Sequence, residues 1–302
     1  MANGEINVDA LLPPEMAAKA EAIGIRKASL DFGTMFALAV LAGAFIAAGA
    51  IYATTVWAGG AALPYGLNRL LGGLVFCLGL ILVIVAGAEL FTGNNLIVMA
   101  WANRKVSSAL LLRNWGIVYL GNFVGSIGTA VIMLLAKHYM FNKGLLGLTA
   151  LNIANAKVAL DPIQAFFLGV MCNALVCMAV WLCFSARSTT DKILSIIFPI
   201  SMFVAAGFEH SIANMYFIPM GLLIKQFAPQ AFWMADALAK ADPAITIDAF
   251  SKLTWGSFLL NNLIPVTLGN IVGGAGMVGL VYWFAYLRPK KIMARSIQTA
   301  TK

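Results

Sequence analysis

Long runs of apolar residues separated by short polar segments dominate the chain from residue 32 onward. A helix needs about 20 residues to cross the hydrocarbon core of a bilayer, and several of these runs are longer. The pattern predicts six crossings, at Phe32–Trp57, Leu70–Ala102, Ala109–Leu135, Ile163–Phe184, Ile193–Ile224 and Trp255–Leu287. We therefore predict an all-α integral membrane protein with a six-span domain over 31–287, a surface segment over 1–30 and a basic tail over 288–302.

An internal repeat divides the predicted domain into halves at 31–137 and 160–287. The segment Leu112–Gly125 of the third span aligns without gaps to Leu260–Gly273 of the sixth. The aligned pairs include Asn114/Asn262, Leu120/Leu268, Gly121/Gly269, Asn122/Asn270 and Gly125/Gly273. Three spans per half is an odd number, so the second half must enter the membrane from the opposite side. The repeat thus predicts a 3+3 inverted topology, which in transporters places the site between the halves.

A second shared motif predicts that one helix in each half is interrupted. Residues 87–94 and 207–214 both begin with glycine, carry glutamate at the third position and end with asparagine. Each motif lies within an apolar stretch longer than the roughly 20 residues that one straight helix needs. Gly87, Gly93 and Gly207 permit the backbone angles of a break. Irregular backbone at membrane depth is tolerated only in protein or beside a cavity, so we expect the breaks to line the pathway.

Composition and charge agree with a membrane protein whose two termini share one side. The chain is 61% hydrophobic and 11% charged, against about 25% charged in soluble domains. The net charge of +8 could suggest a nucleic-acid partner, but its distribution has a topological explanation. With both termini cytoplasmic, thirteen of the 20 lysines and arginines lie inside, as the positive-inside rule expects. The first thirty residues do not resemble a signal peptide, so we predict that they are retained.

His210 is the residue most indicative of function. An ionisable side chain at bilayer depth is costly unless it is paired or faces water, and imidazole titrates close to neutral pH. Thr92, in a predicted loop, supplies a hydroxyl that can donate and accept. For Glu89 and Glu209 we favour a structural role, in which the carboxylates accept backbone N–H bonds from the unwound segments. His138 is predicted to be solvated surface.

The remaining candidate chemistry argues against an enzyme or a metal site. Each of the four cysteines lies inside an apolar span, without ligand spacing suited to zinc; they are Cys77, Cys172, Cys177 and Cys183. A Glu-His pair in a membrane raises the alternative of an intramembrane enzyme. The chain lacks the His-Glu-x-x-His motif and any second deep histidine, so we predict no metal, no cofactor and no catalytic set.

Three motifs together resemble the formate/nitrite transporter family, most closely its formate channels. They are Gly87-Ala-Glu-Leu-Phe-Thr-Gly93, Gly207-Phe-Glu-His-Ser-Ile-Ala-Asn-Met215 and Asn262-Leu-Ile-Pro-Val-Thr-Leu-Gly-Asn270. The resemblance covers nearly the whole chain. It implies an aquaporin-like fold of six spans in the bacterial inner membrane and a symmetric homopentamer with one pore per protomer.

The resemblance also implies roles for individual residues. Thr92 and His210 would face the midpoint of the pore, with Asn173 and Asn262 nearby. Two apolar constrictions would flank them, and their members are Leu80 and Leu90 on the cytoplasmic side and Phe76, Val176 and Phe203 on the periplasmic side. Glu209, Asn214 and Lys157 would support the histidine, and Glu89 would support the other break. The N-terminal segment would be a movable cytoplasmic helix linked to pH gating, where a cytoplasmic regulator could bind.

These expectations combine into a pH-sensitive channel that moves formate or related small monovalent anions. An anion in an apolar ring bears a large desolvation cost, and neutral formic acid a far smaller one. Proton donation by His210 would therefore allow passage as the acid or together with a proton, whereas an anionic leak is the competing mode. A nitrite or hydrosulfide channel of the same family remains the alternative.

Overall fold

The computed structural model describes residues 10–241 and 243–289. The termini of the predicted surface segment and of the basic tail, residues 1–9 and 290–302, lie outside the described residues. Helices account for most of the described chain, and no strand occurs within it. Five helices are long and apolar enough to cross a membrane, at Phe32–Trp57, Tyr65–Gly87, Ser108–Leu135, Pro162–Ser185 and Ile247–Leu287.

The first half of the described chain contains six α-helices. They are α1 (Pro13–Ala28), α2 (Phe32–Trp57), α3 (Tyr65–Ile81), α4 (Phe91–Asn94), α5 (Val98–Ala102) and α6 (Ser108–Leu135). A π-helical turn, Leu82–Gly87, extends α3, and a 3₁₀ turn, Asn95–Ile97, joins α4 to α5. Residues 88–90 between α3 and α4 are not helical. The predicted second span is therefore interrupted at this point.

The second half follows the same order. Its helices are α7 (Leu145–Val158), α8 (Pro162–Ser185), α9 (Thr189–Ala205), α10 (Ser211–Phe227), the short α11 (Gln230–Trp233) and α12 (Asp236–Ala239), and a last helix with α13 (Trp255–Ser257) and α14 (Ile264–Ile271). Three π-helical segments, Phe258–Leu263, Val272–Leu280 and Trp283–Leu287, belong to that last helix. The predicted fifth span is divided into α9 and α10, of 17 residues each.

Polar residues begin several of these helices in the way that the sequence dictates. The Asp31 carboxylate accepts from the backbone N–H of Thr34 at the start of α2. At the start of α8, the Asp161 carboxylate accepts from two backbone N–H groups. Such caps satisfy donors that have no partner inside the helix. They fix where α2 and α8 begin.

Glycines allow the long helices of each half to approach one another closely. A Cβ atom at Gly125 of α6 would overlap the carbonyl of Val40 in α2. A Cβ atom at Gly273, in the last helix, would overlap the carbonyl of Val170 in α8 in the same way. Small residues permit this contact between membrane helices, where lipid supplies no hydrophobic drive for association. These close contacts join α2 to α6 and α8 to the last helix.

Candidate functional site

Both interruptions are centred on a glycine with a left-handed backbone, followed by extended residues. Gly87 has φ of 85° and Gly207 has φ of 77°, a region that glycine adopts without steric cost. Gly93, which we also expected at a break, instead lies within α4. Thr92, expected in a loop, occupies the first turn of the same helix. The first break is thus shorter than predicted, and the helix resumes directly after Leu90.

A buried cluster of charged and amide side chains supports the first break. Lys27 Nζ donates to Glu89 Oε1 at 2.7 Å and to Asn94 Oδ1 at 2.9 Å. Asn94 Nδ2 donates to Glu89 Oε2 at 2.7 Å and to Asn114 Oδ1 at 3.0 Å. Asn114 Nδ2 in turn donates to the backbone carbonyl of Lys27. The cluster ties the end of α1 to the start of the half-helix.

The second break has the same cluster, built from the equivalent residues. Lys157 Nζ donates to Glu209 Oε1 at 2.8 Å. Asn214 Nδ2 donates to Glu209 Oε2 and to Asn262 Oδ1, both at 2.7 Å. Asn262 Nδ2 donates to the backbone carbonyl of Lys157. The two breaks, at Gly87 and Gly207, therefore have closely similar hydrogen-bond arrangements.

The structure corrects the bonding that we expected of the two glutamates. Their side chains accept from lysine and asparagine side chains, and the unwound backbone is satisfied by two other amides. Asn122 Oδ1 accepts from Phe91 N–H, and its Nδ2 donates to the Ala39 and Glu89 carbonyls at 2.7 and 2.9 Å. Backbone groups buried at membrane depth must find such partners within the protein.

Asn270 hydrogen-bonds the backbone of the second break in the same way as Asn122 bonds that of the first. Its Oδ1 accepts from Ser211 N–H at 2.9 Å. Its Nδ2 donates to the Gly169 and Glu209 carbonyls at 2.8 and 3.0 Å. In each half, one asparagine side chain thus links the extended residues of the break to a neighbouring helix. The glutamate side chains are therefore available to pair with lysine.

Thr92 and His210, which belong to different halves of the repeat, are in direct contact. Thr92 Oγ1 lies 2.9 Å from His210 Nε2, and the two residues are 0% and 3% exposed. The backbone N–H of Ala213 donates to His210 Nδ1 at 3.1 Å. Since Nδ1 is an acceptor, the proton of the neutral ring lies on Nε2, which donates to the Thr92 hydroxyl. The hydroxyl hydrogen of Thr92 is then free to donate elsewhere.

Two large cavities lie beside the two breaks, and one of them reaches His210. The α7-side vestibule has a volume of about 460 Å³ and is lined by residues that include Arg69, Lys157, Glu209 and His210. The α1-side vestibule has a volume of about 510 Å³, and its lining includes Lys27 and Glu89. Each vestibule contains one of the two lysine–glutamate pairs. Both therefore present a polar wall close to a break.

A narrow apolar gap adjoins the α7-side vestibule, with which it shares Phe76, Phe203 and His210. All five residues predicted to form constrictions line it together with His210, and these are Phe76, Leu80, Leu90, Val176 and Phe203. Its volume of about 10 Å³ is close to the ~10–15 Å³ that a single water molecule needs. The rings of Phe76 and Phe203 pack edge to face with centroids 5.7 Å apart. Side chains must move before anything larger than water can pass.

Two further predicted pathway residues lie in the frame behind the gap. Asn173 donates to the Asn270 carbonyl at 2.7 Å and to Asn95 Oδ1 at 2.8 Å. Asn262 belongs to the cluster around Glu209. Neither side chain lines the two vestibules or the gap. Both side chains therefore lie close to the predicted site but do not line its cavities.

Sequence reasoning missed Lys27, although the sequence carries a signal for it. The segment Lys27-Ala-Ser-Leu-Asp31 resembles Lys157-Val-Ala-Leu-Asp161, 130 residues later. In the structure, α1 and α7 end beside the two breaks with these lysines in equivalent positions. The correspondence therefore includes the helix that precedes each predicted half, which begins at 31 or 160. His138, predicted to be solvated, is half-buried against Phe141.

Comparisons with known proteins agree over nearly the whole chain. The family model described as formate/nitrite transporter matches residues 14–284. The formate channel FocA of Escherichia coli (strain K12) is 45% identical over 280 residues, which are 93% of this chain and 96% of that protein. FocA of Haemophilus influenzae is 40% identical over 278 residues, 92% and 95% of the two chains.

A solved structure shows the same architecture. The chain superposes on a structure described as a pentameric formate channel with formate bound, with a TM-score of 0.79 and 49% identity, covering 85% of this chain and 98% of the other. The apolar helices and these relatives make the protein a multi-pass membrane protein. Because the family model and the relatives match from the first described helix to the last, the chain belongs to the formate/nitrite transporter family.

Proposed function

We propose that the protein is a membrane channel for formate, with Thr92 and His210 as its selective contact. The observation that carries this proposal is the buried 2.9 Å contact between Thr92 Oγ1 and His210 Nε2, in which His210 lines both the apolar gap and the α7-side vestibule and Thr92 lies behind it. The matching relatives are named as formate channels. Family membership also makes the protein a transport protein rather than an enzyme.

The fold supports a protomer with six crossings in two inverted halves. Helices α9 and α10 together provide the crossing that neither provides alone, and the lysine–glutamate and asparagine–glutamate bonds at the first break have counterparts at the second. We further propose a homopentamer, because the matched solved structure is described as pentameric. Exposed apolar side chains on α6, such as Leu112, Leu120 and Leu135, suit contact with lipid or with another protomer. Both termini would then lie on the cytoplasmic side of the bacterial inner membrane.

The role of each site residue follows from its position. The polar vestibules offer an anion hydrogen bonds before it reaches the gap, and the ring of Phe76, Leu80, Leu90, Val176 and Phe203 excludes hydrated ions. His210 Nε2–H and the Thr92 hydroxyl would turn from each other to an anion in the gap. Lys27, Lys157 and their glutamate partners would hold the breaks in place. The α1 contacts with this frame would let a cytoplasmic regulator act on the channel through α1.

The bonding of His210 favours hydrogen-bond donation over proton transfer. In the neutral ring, loss of the Nε2 proton would leave an imidazolate, which is not accessible near neutral pH. Transfer to formate would first require a protonated ring, whose Nδ1–H would face the N–H of Ala213 without an acceptor. Passage as an anion, stabilised by the two donors, is therefore the mode that this geometry supports. Passage as formic acid requires the Ala213 contact to open.

Formate flux into proteoliposomes tests the proposal. His210→Asn should lower the flux at least about tenfold, since loss of a desolvated donor to a charged group costs roughly 1.5–3 kcal/mol. The chain has 2 histidines, so His138→Asn is the matched control and should retain the flux. Equal flux in all three proteins would contradict the proposal. Competition by nitrite and hydrosulfide in the same assay tests the alternative substrates.

A further inference from the structure

The α1-side vestibule carries more positive charge than the repeat architecture explains. Lys19, Arg26 and Lys27 line it from one face of α1, at positions i, i+7 and i+8, and Lys192 lines it from α9. Glu89 is the one carboxylate among its described lining residues. Four cations and one carboxylate give this wall a formal charge of +3.

Three of these cations have no carboxylate partner in the part of the chain that the structure describes. Lys27 is paired with Glu89, whereas no ion pair involves Lys19, Arg26 or Lys192 among residues 10–241 and 243–289. Lys19 Nζ donates to the backbone carbonyl of Phe184 at the end of α8, at 2.7 Å. Three like charges therefore face one cavity without compensation.

Lys19 lies close to other positive charges. Its pKa is lowered from the ordinary value, first by burial and then by the positive charges of Arg187 and Lys192. Repulsion of this kind disfavours the docked position of α1 when the vestibule is empty. A negatively charged ligand in the vestibule would attract these cations and so favour the docked position of α1.

The α7-side vestibule shows that transport of a small anion does not require this excess. Its lining has two cations and one carboxylate, a formal charge of +1. Lys157 is paired with Glu209, and Arg69 donates to the backbone carbonyls of Val204 and Ala205 at 2.6 and 3.1 Å. One of its two cations thus has a carboxylate partner. The α1-side vestibule carries two more formal positive charges, +3 against +1.

Cavity size and charge together define the occupant. A volume of about 510 Å³ lies within the range of roughly 300–1,000 Å³ that is usual for small-molecule sites. A monovalent anion would neutralise one of the three unpaired cations, and a multivalent anion can neutralise all of them. We propose that the α1-side vestibule binds a small multivalent oxyanion of the pyrophosphate class, which bridges α1 to α9 and closes this vestibule to flux.

The bridge would act on contacts that already hold α1. Glu21 of α1 pairs with Lys105, and Ser185 Oγ donates to the carbonyl of Leu11. An oxyanion between Lys19, Arg26 and Lys192 would add a further attachment and remove the repulsion that opposes these contacts. This regulation rests on the proposed channel function, because closure has meaning only for a conducting vestibule.

Calorimetric titration of the purified full-length protein with inorganic pyrophosphate tests the site directly. Wild type should bind pyrophosphate more tightly than chloride at matched ionic strength. Lys19→Gln, Arg26→Gln and Lys192→Gln should each weaken binding at least about fivefold, since interactions between a bound anion and nearby cations act over less than the ~8 Å screening length. Lys240→Gln, at an exposed lysine outside both vestibules, is the matched control and should bind as wild type does.

Flux measurements separate this proposal from the channel function. Pyrophosphate on the side that α1 faces should lower formate flux in wild type, and this inhibition should be lost in the triple Gln variant when each protein is compared with its own flux without pyrophosphate. Equal affinity for pyrophosphate and chloride, or undiminished binding in the triple variant, would overturn the site. If the protein binds pyrophosphate tightly but shows no formate flux, the result would support the site and contradict the channel function.

Discussion

The two breaks differ in the residues that face the gap and agree in nearly everything behind it. Asn94 and Asn214 donate to Glu89 and Glu209, and Asn122 and Asn270 bridge the break to a neighbouring helix, in the same way in both halves. The next position after the glutamate is Leu90 in one half and His210 in the other. The comparison teaches that duplication supplied a frame for buried, non-helical backbone, and that divergence at a few positions supplied the chemistry. Predictions can therefore address the shared frame and the divergent positions separately.

The largest effect is expected from the amides that hold the breaks. Asn122→Ala and Asn270→Ala would each leave one backbone N–H and one non-helical carbonyl, that of Glu89 or Glu209, without the amide partner, at about 1–3 kcal/mol for each buried group. Both variants should lose folded protein in detergent, measured by thermal unfolding and size-exclusion chromatography. Since the bonds are equivalent, the losses should be similar. A large loss in only one of the two would break the symmetry of the frame.

A smaller effect is expected from the lysine–glutamate pairs. Glu209→Gln leaves Lys157 unpaired, and Glu89→Gln leaves Lys27 unpaired. The Lys157 side chain is 16% exposed and that of Lys27 is 29% exposed, so the loss at Glu209 should be the greater. We expect roughly 3 kcal/mol or more at Glu209, near the lower end for a broken buried pair, and less at Glu89.

Thermal unfolding of the two glutamine variants beside wild type measures this ranking. Glu15→Gln is a matched control, because Glu15 is an exposed residue of α1 away from both breaks. A greater loss at Glu89 than at Glu209 would contradict the ranking by burial.

The smallest effect is expected at His138, outside both breaks. Burial lowers the pKa of His138 below its ordinary value, so the unfolded chain binds a proton at this residue more readily than the folded protein does. The stability contributed by its neutral form is complete above the ordinary pKa near 6.5 and decreases as the pH falls below it. His138→Asn should flatten the pH dependence of thermal unfolding between pH 7 and 5 by less than about 1 kcal/mol. An unchanged slope would show that other groups govern it.

Much of the fold could be predicted because it depends on patterns that a single sequence displays. The apolar runs predicted the membrane helices, and the aligned segments Leu112–Gly125 and Leu260–Gly273 predicted that the halves would correspond. The family assignment, suggested by three motifs, is confirmed by the family model and the relatives. These signals are local or repeated, so they need no three-dimensional information.

The partners of buried groups could not be predicted in the same way. Nothing local to Glu89 indicates that its partner is Lys27, 62 positions earlier, because that pairing depends on how α1 folds back against the break. Likewise, the sequence shows Asn122 only as one member of the aligned pairs, and only its position in α6 beside the break identifies it as the bridge. The uncompensated charge of the α1-side vestibule also emerges only when α1 and α9 are brought together.

A double-mutant cycle of formate flux tests the central claim, that Thr92 and His210 act together as the selective contact. The cycle compares wild type, Thr92→Val, His210→Asn and the double variant in proteoliposomes, with protein folding checked in each. Residues in direct contact show coupling of about 0.5–3 kcal/mol, so we predict that the double variant loses far less than the product of the two single losses. Strictly multiplicative losses would contradict the account, because they would mean that the two side chains act independently.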